Sequence, residues 1–89
     1  MIPFSDVWQR IILNGGKVFY TKRGLKFKYR VQNDLLSIDR VDYSLTRKDV
    51  MSAFRHVPLV GPGELTGLVR GQGYIWAILH DKRIRLTDW

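Results

Sequence analysis

Cysteine is missing from this 89-residue chain, which excludes a disulfide framework and any thiolate metal site. Histidine is scarce: His56 and His80 stand apart with no paired ligands beside them, so neither a zinc centre nor a cofactor is expected. No run approaches the roughly 20 consecutive apolar residues of a membrane span, and no membrane partner is expected. The opening segment, MIPFSDVWQRIILNGG, carries an acid at Asp6 and only a short apolar run. It lacks the basic start and long apolar stretch of a secretory leader, so a cytoplasmic location is expected. Repeats, low-complexity tracts and linkers are also lacking, which predicts one domain over residues 1–89. At 45% apolar and 26% charged residues, the composition is that of a folded domain and not of a disordered chain.

Acidic residues are the remaining scarcity, and their distribution is informative. The formal net charge is +7, and the window from Gly15 to Asn33 contains no acid at all. It holds Lys17, Lys22, Arg23, Lys26, Lys28 and Arg30, whereas the other seventy residues carry nine bases against eight acids. Charge gathered on one supersecondary unit creates a local field that attracts polyanions.

The patterning predicts an α+β fold: a small antiparallel sheet of about three strands built on a β-hairpin, with three to four short helices packed on one face. Ser5 is placed to cap a first helix with Val7, Trp8, Ile11 and Ile12 on its apolar side, stopped by Asn14-Gly15-Gly16. Lys17 to Thr21 and Leu25 to Val31 read as the hairpin, and Leu35 to Tyr43 as a third strand whose alternation slips after Ile38. Thr46 and Asp49 resemble a capping box for a helix ending before Pro58. A short helical turn fits around Glu64 to Val69, and YIWAILH, Tyr74 to His80, reads as a buried helix. The closing HDKRIRLTDW, with Ile84 and Leu86 alternating, suggests a last strand or an extended tail. The expected core is Trp8, Ile11, Phe27, Tyr29, Val50, Phe54, Ile75, Ile78 and Leu79.

Within the hairpin, parity turns Leu25, Phe27, Tyr29 and Val31 to one face and Lys26, Lys28 and Arg30 to the other. The first strand's contribution depends on the turn. A two-residue turn at Arg23-Gly24 would pair Tyr20 with Phe27 and would require positive φ at Arg23. A type I turn at Lys22-Arg23 with a left-handed Gly24 would pair Phe19 with Phe27 and place Val18 and Tyr20 among the cations. Only Gly24 need adopt positive φ in the second case, so it is preferred. An aromatic ring amid Lys and Arg on a strand face is the layout of sheets that stack bases and neutralise phosphates. The competing account is that these cations simply solvate a hairpin and guard its edge.

The resulting expectation is a non-enzymatic nucleic-acid-binding module, for DNA, RNA or another polyanion. Lys26, Lys28 and Arg30 would be phosphate contacts, Tyr20 a stacking ring, and Lys17, Lys22 and Arg23 would surround them. The alternative is a protein-interaction module that docks an acidic protein partner or forms a homodimer through a sheet edge. RGQG, with Arg70, Gly71 and Gly73 ahead of the apolar helix, is a possible anion-binding site. The same helix is too apolar to read a major groove, which excludes a helix-turn-helix. A metal-dependent nuclease would need carboxylates such as Asp39 and Glu64 to converge with Lys82, and no spacing requires that. Finally, the phrase from Phe19 to Val31 together with LVRGQGYIWAILHDKRI, Leu68 to Ile84, resembles a small domain of uncharacterised bacterial proteins. That pattern has Pro-Ser after Gly71 where this chain has Gln72-Gly73. The resemblance implies a compact α+β fold and no activity.

Overall fold

The computed structural model describes residues 2–89. Helix α1, Phe4–Leu13, begins after Pro3, whose extended backbone and carbonyl cap it by accepting the Asp6 N–H at 3.1 Å. Ser5 therefore lies inside the first turn and caps nothing, contrary to the sequence expectation. Asp6 sits in that first turn, where a negative charge suits the helix dipole. Val7, Trp8 and Ile11 are buried, but Ile12 lies one position past this stripe and is 38% exposed. Asn14 ends the helix, its side-chain amide donating to the Arg10 carbonyl at 2.8 Å.

Strands β1 (Val18–Tyr20), β2 (Lys26–Gln32), β3 (Leu35–Ile38) and β4 (Ser44–Thr46) form one antiparallel sheet in sequential order. The hairpin takes the register with Phe19 opposite Phe27. Gly24 adopts φ 88°, and its N–H donates to the Thr21 carbonyl, closing the turn over Lys22 and Arg23. Leu25, assigned to the core face, is exposed at that turn. Asn33 and Asp34, both at positive φ, make the tight turn into β3. The third strand is shorter than expected: it stops at Ile38, where the slip in alternation falls, and a bend through Asp39 to Tyr43 leads into a fourth strand.

Thr46 ends β4 and caps α2, Arg47–Phe54. Its hydroxyl accepts the Asp49 N–H, while the Asp49 carboxylate accepts the Thr46 N–H. The helix gives way at Arg55 to i→i+3 bonding, so Val57 is buried beyond the helix end, and Pro58 follows through a cis peptide. The short helical turn sits earlier than anticipated, as a 3₁₀ segment at Pro62–Leu65. Helix α3, Gln72–Leu79, carries the apolar run, with Ile75, Ala77, Ile78 and Leu79 buried. The chain closes with a fourth short helix, α4, Lys82–Arg85, not a strand. The Asp81 carboxylate caps it by accepting the Arg83 N–H, and Leu86 at φ 51° turns outward and breaks the apparent alternation.

All nine expected core residues are buried, joined among others by Phe19, Leu36, Leu45, Leu65 and Ile84. The Tyr29 hydroxyl donates to the Ile11 carbonyl at 2.6 Å in this interior, and burial raises its pKa. The helices cover the face of the sheet that presents Phe19, Phe27, Tyr29, Leu36 and Leu45. The opposite face is open. No helix among the described residues is long and apolar enough to cross a membrane.

Candidate nucleic-acid interface

Strand alternation builds the open face directly. Along β2 the burial alternates, so that Lys26, Lys28 and Arg30 stand outward between buried Phe27 and Tyr29. Alternate residues on a strand recur about every 6.8 Å, which sets the three cations in a row. Tyr20 pairs with Lys26 and Val18 with Lys28, so the Tyr20 ring stands beside the end of that row, 60% exposed. On the other flank Arg30 pairs with Ser37.

Beta-strand position matters as much as charge. Lys26 to Lys28 pair with β1 and Tyr29 to Gln32 with β3, and Asp39 continues the second contact by donating its N–H to the Lys28 carbonyl at 3.1 Å. The strand is thus flanked on both sides along different stretches, Lys26 and Lys28 pairing with β1 and Arg30 with β3, while Asp39 and Arg40 bond the backbone of Lys28 and Lys26 on the second side. Edge protection would place them on β1 or β4, the three-residue outer strands.

Among the described residues the ion pairs are Arg10 with Asp88 and Arg83 with Asp81, and none of the six hairpin cations takes part. One acid does approach the face. Asp39 accepts the Lys28 backbone N–H at 2.9 Å, and its neighbour Arg40 donates to the Lys26 carbonyl, adding a cation at the same margin. A concavity of about 310 Å³ lies here, lined by Gly16, Lys28, Arg30, Ser37 and Asp39 among others.

The remaining hairpin cations are dispersed. Lys17 donates to the Asn14 side chain at 3.0 Å, near the end of α1. Lys22 turns toward α3, donating to the Val60 carbonyl at 3.2 Å with its ammonium 5.8 Å from the centre of the Trp76 ring. Lys22 and Arg23 line a depression of about 440 Å³ that also includes Gly73 and Tyr74. The RGQG segment is accordingly divided. Gly73 faces the hairpin tip, while Arg70 stacks 3.9 Å from the centre of the Tyr43 ring. Gly71, at φ 67°, leaves room for the Tyr43 hydroxyl, which would lie 3.2 Å from an added Cβ.

Beside Tyr20 lies a feature that sequence reasoning missed, a cleft of about 470 Å³ reaching from Tyr20 across Trp76 and His80 to Lys82 and Arg83. Trp76 on α3 and His80 at its C-terminal cap are four apart, and their rings stack at 5.1 Å and 14°. That spacing was the available signal, hidden inside an apolar run read as uniformly buried. Both His80 nitrogens are occupied: Nε2 accepts the Leu59 N–H at 3.0 Å, which leaves Nδ1–H to donate to the Trp76 carbonyl at 3.0 Å. Burial is the main cause that lowers the His80 pKa, with the Arg85 charge adding to it.

Arg83 forms the cleft's far wall and is engaged through Nε and Nη2. It donates to both Asp81 carboxylate oxygens at 2.9 Å and to the Val18 carbonyl at 2.8 Å, and its guanidinium lies 4.0 Å from the centre of the Phe19 ring. Burial works to raise the Asp81 pKa, but its hydrogen bonds and charge contact with Arg83 outweigh this and lower it. The hydrogen bond to Asp81 raises that of Arg83.

Asp39 and Glu64, the carboxylates considered for a nuclease site, each have a structural partner, as does Asp81. Asp39 holds the Lys28 N–H, Glu64 accepts the Val60 N–H at 2.7 Å, and Asp81 holds Arg83. Asp39 lines the concavity on the open face and Lys82 lines the cleft, so these two lie in separate depressions. Among the described residues no three His, Asp or Glu side chains gather as a metal-holding group. Comparison of the chain with known protein families, curated proteins and solved structures finds no match.

Proposed function

We propose that this protein is a non-enzymatic nucleic-acid-binding module that works through the outer face of β1 and β2. The observation that carries this reading is the row of Lys26, Lys28 and Arg30 on a strand paired on both sides. The cations have no carboxylate partner and end beside an exposed tyrosine. Lys26, Lys28 and Arg30 neutralise phosphates, Tyr20 offers a ring to a base, and Lys17, Lys22 and Arg23 extend the field at the margins. Gly73, next to Lys22 and Arg23, adds an anion contact at the hairpin tip, while Arg70 beside Tyr43 serves as a separate one. An acidic protein surface would use the same cations but has no need of the ring. The short outer strands, with the Val18 carbonyl already taken by Arg83, favour a ligand on the face over self-pairing at an edge.

Titration against duplex DNA at several salt concentrations tests the reading. Neutralising about four to six phosphates gives a log–log slope of affinity against salt of roughly −4 to −5. A slope near zero would overturn it.

A further inference from the structure

We infer that the interface takes single-stranded nucleic acid, with one unpaired base seated in the cleft between Tyr20 and Trp76. This inference rests on the reading just given and narrows its ligand. The row of cations supplies a direction: Arg30, Lys28 and Lys26 follow one another at steps of about 6.8 Å, comparable to the interval between phosphates of an extended strand. Tyr20 stands directly across from Lys26, and the same ring lines the cleft. A strand whose phosphates follow the row therefore brings its next base to the cleft mouth.

The cleft's chemistry suits a base and not another phosphate. Its walls offer Tyr20, Trp76 and Ala77; the Trp76 ring has His80 stacked on it and the Lys22 ammonium 5.8 Å from its centre, so Tyr20, 60% exposed, is the ring most open to a base. The cations and anions at its far side are largely spent on one another, Arg83 being paired with Asp81 and tied to Val18. Lys82 is the exposed cation left at the rim. A duplex keeps its base faces stacked inside, so it engages the cations and leaves the cleft empty.

The occupied polar groups also define selectivity. His80 has both ring nitrogens engaged, and the Asp81 carboxylate is held by Arg83, so these groups present few free donors or acceptors to a base edge. Stacking then dominates, and every base has a face to stack. The site accepts unpaired bases with little preference among them.

Fluorescence anisotropy with the full chain tests this, using labelled oligo-dT and oligo-rU of about 12 nucleotides, a duplex of the same length, and a single strand of abasic sites. The expected result is single-strand affinity at least about tenfold above duplex, with the abasic strand reduced by about the same factor. Tyr20→Ala should weaken the single strands about tenfold, leave duplex unchanged and add nothing on the abasic strand. Because the abasic comparison uses the unaltered protein, it stands whatever that substitution does to folding. Equal affinity for single strand and duplex, or an equal loss on both in Tyr20→Ala, would overturn the inference and leave the interface reading intact. Binding to none of the probes at low salt would overturn both.

Discussion

The outward surface of the sheet has two unlike halves. On β1 and β2 it presents Lys26, Lys28 and Arg30 with Tyr20 beside them. On β3 and β4 it presents Leu35, Ser37, Ser44 and Thr46, with the two serine hydroxyls 3.0 Å apart in a cross-strand pair. Both halves face water, and the hydroxyl half shows that solvation of this sheet does not require lysine or arginine. The cations are also absent from β1 and β4, the outer strands, where protection against edge-to-edge pairing would call for them. Their concentration on β2 is therefore a property of one region and not a general device of the fold.

Substitutions on the two sides of one strand sharpen that contrast. Phe27 packs under the sheet against Phe19 at 5.9 Å and Tyr74 at 5.1 Å, so Phe27→Ala should cost about 3 to 5 kcal/mol in urea unfolding, most of a small domain's stability. Its neighbours on the outward side should affect binding instead. Lys26→Glu with Lys28→Glu should lower polyanion affinity by at least about a hundredfold and flatten the salt slope, with the unfolding midpoint nearly unchanged. If this pair of substitutions left retention on a nucleic-acid column unaltered, the cationic half would have no special role.

Smaller effects belong to the hydroxyl half and to the helices. Thr46→Ala removes the cap of α2 and should cost about 1 kcal/mol of stability without touching affinity, measurable by comparing melts with titrations. For His80 the folded-state pKa lies below the free value of 6.5, so folding favours the neutral ring. Its contribution is fully present above pH 6.5 and is lost as pH falls through the lowered value. Urea midpoints taken at descending pH should decline in that window, above the range where Asp81 titrates, and His80→Gln should abolish the decline. The smallest effect is a null one: Ser37→Ala with Ser44→Ala should leave nucleic-acid affinity within experimental error. A loss comparable to that of the lysine variants would break the distinction between the halves.

Much of this arrangement is legible in the chain because it depends on local rules. Parity along β2 follows from strand geometry, the hairpin register from Gly24 being the residue that tolerates positive φ, and α2 from the reciprocal bonds of Thr46 and Asp49. The features that escape notice involve overlap or distance. Strand β4 is three residues long and shares Thr46 with the helix cap, so no separate alternation marks it. The C-terminal Ile84 and Leu86 mimic a strand, whereas the Asp81 cap before them and the positive φ of Leu86 make the segment a helix. At the site, the cations and Tyr20 are local to the hairpin and readable, but the cleft joins Tyr20 to α3 and α4, which only tertiary packing brings together.

The aromatic contacts around Phe54 have a structural consequence. Phe4 from α1 and Trp89 from the segment after α4 both pack on this ring, at 5.6 and 5.0 Å, on the helical side of the sheet. Phe54 thus joins α1 to the segment after α4, and its loss would loosen both together on the face away from the lysine row.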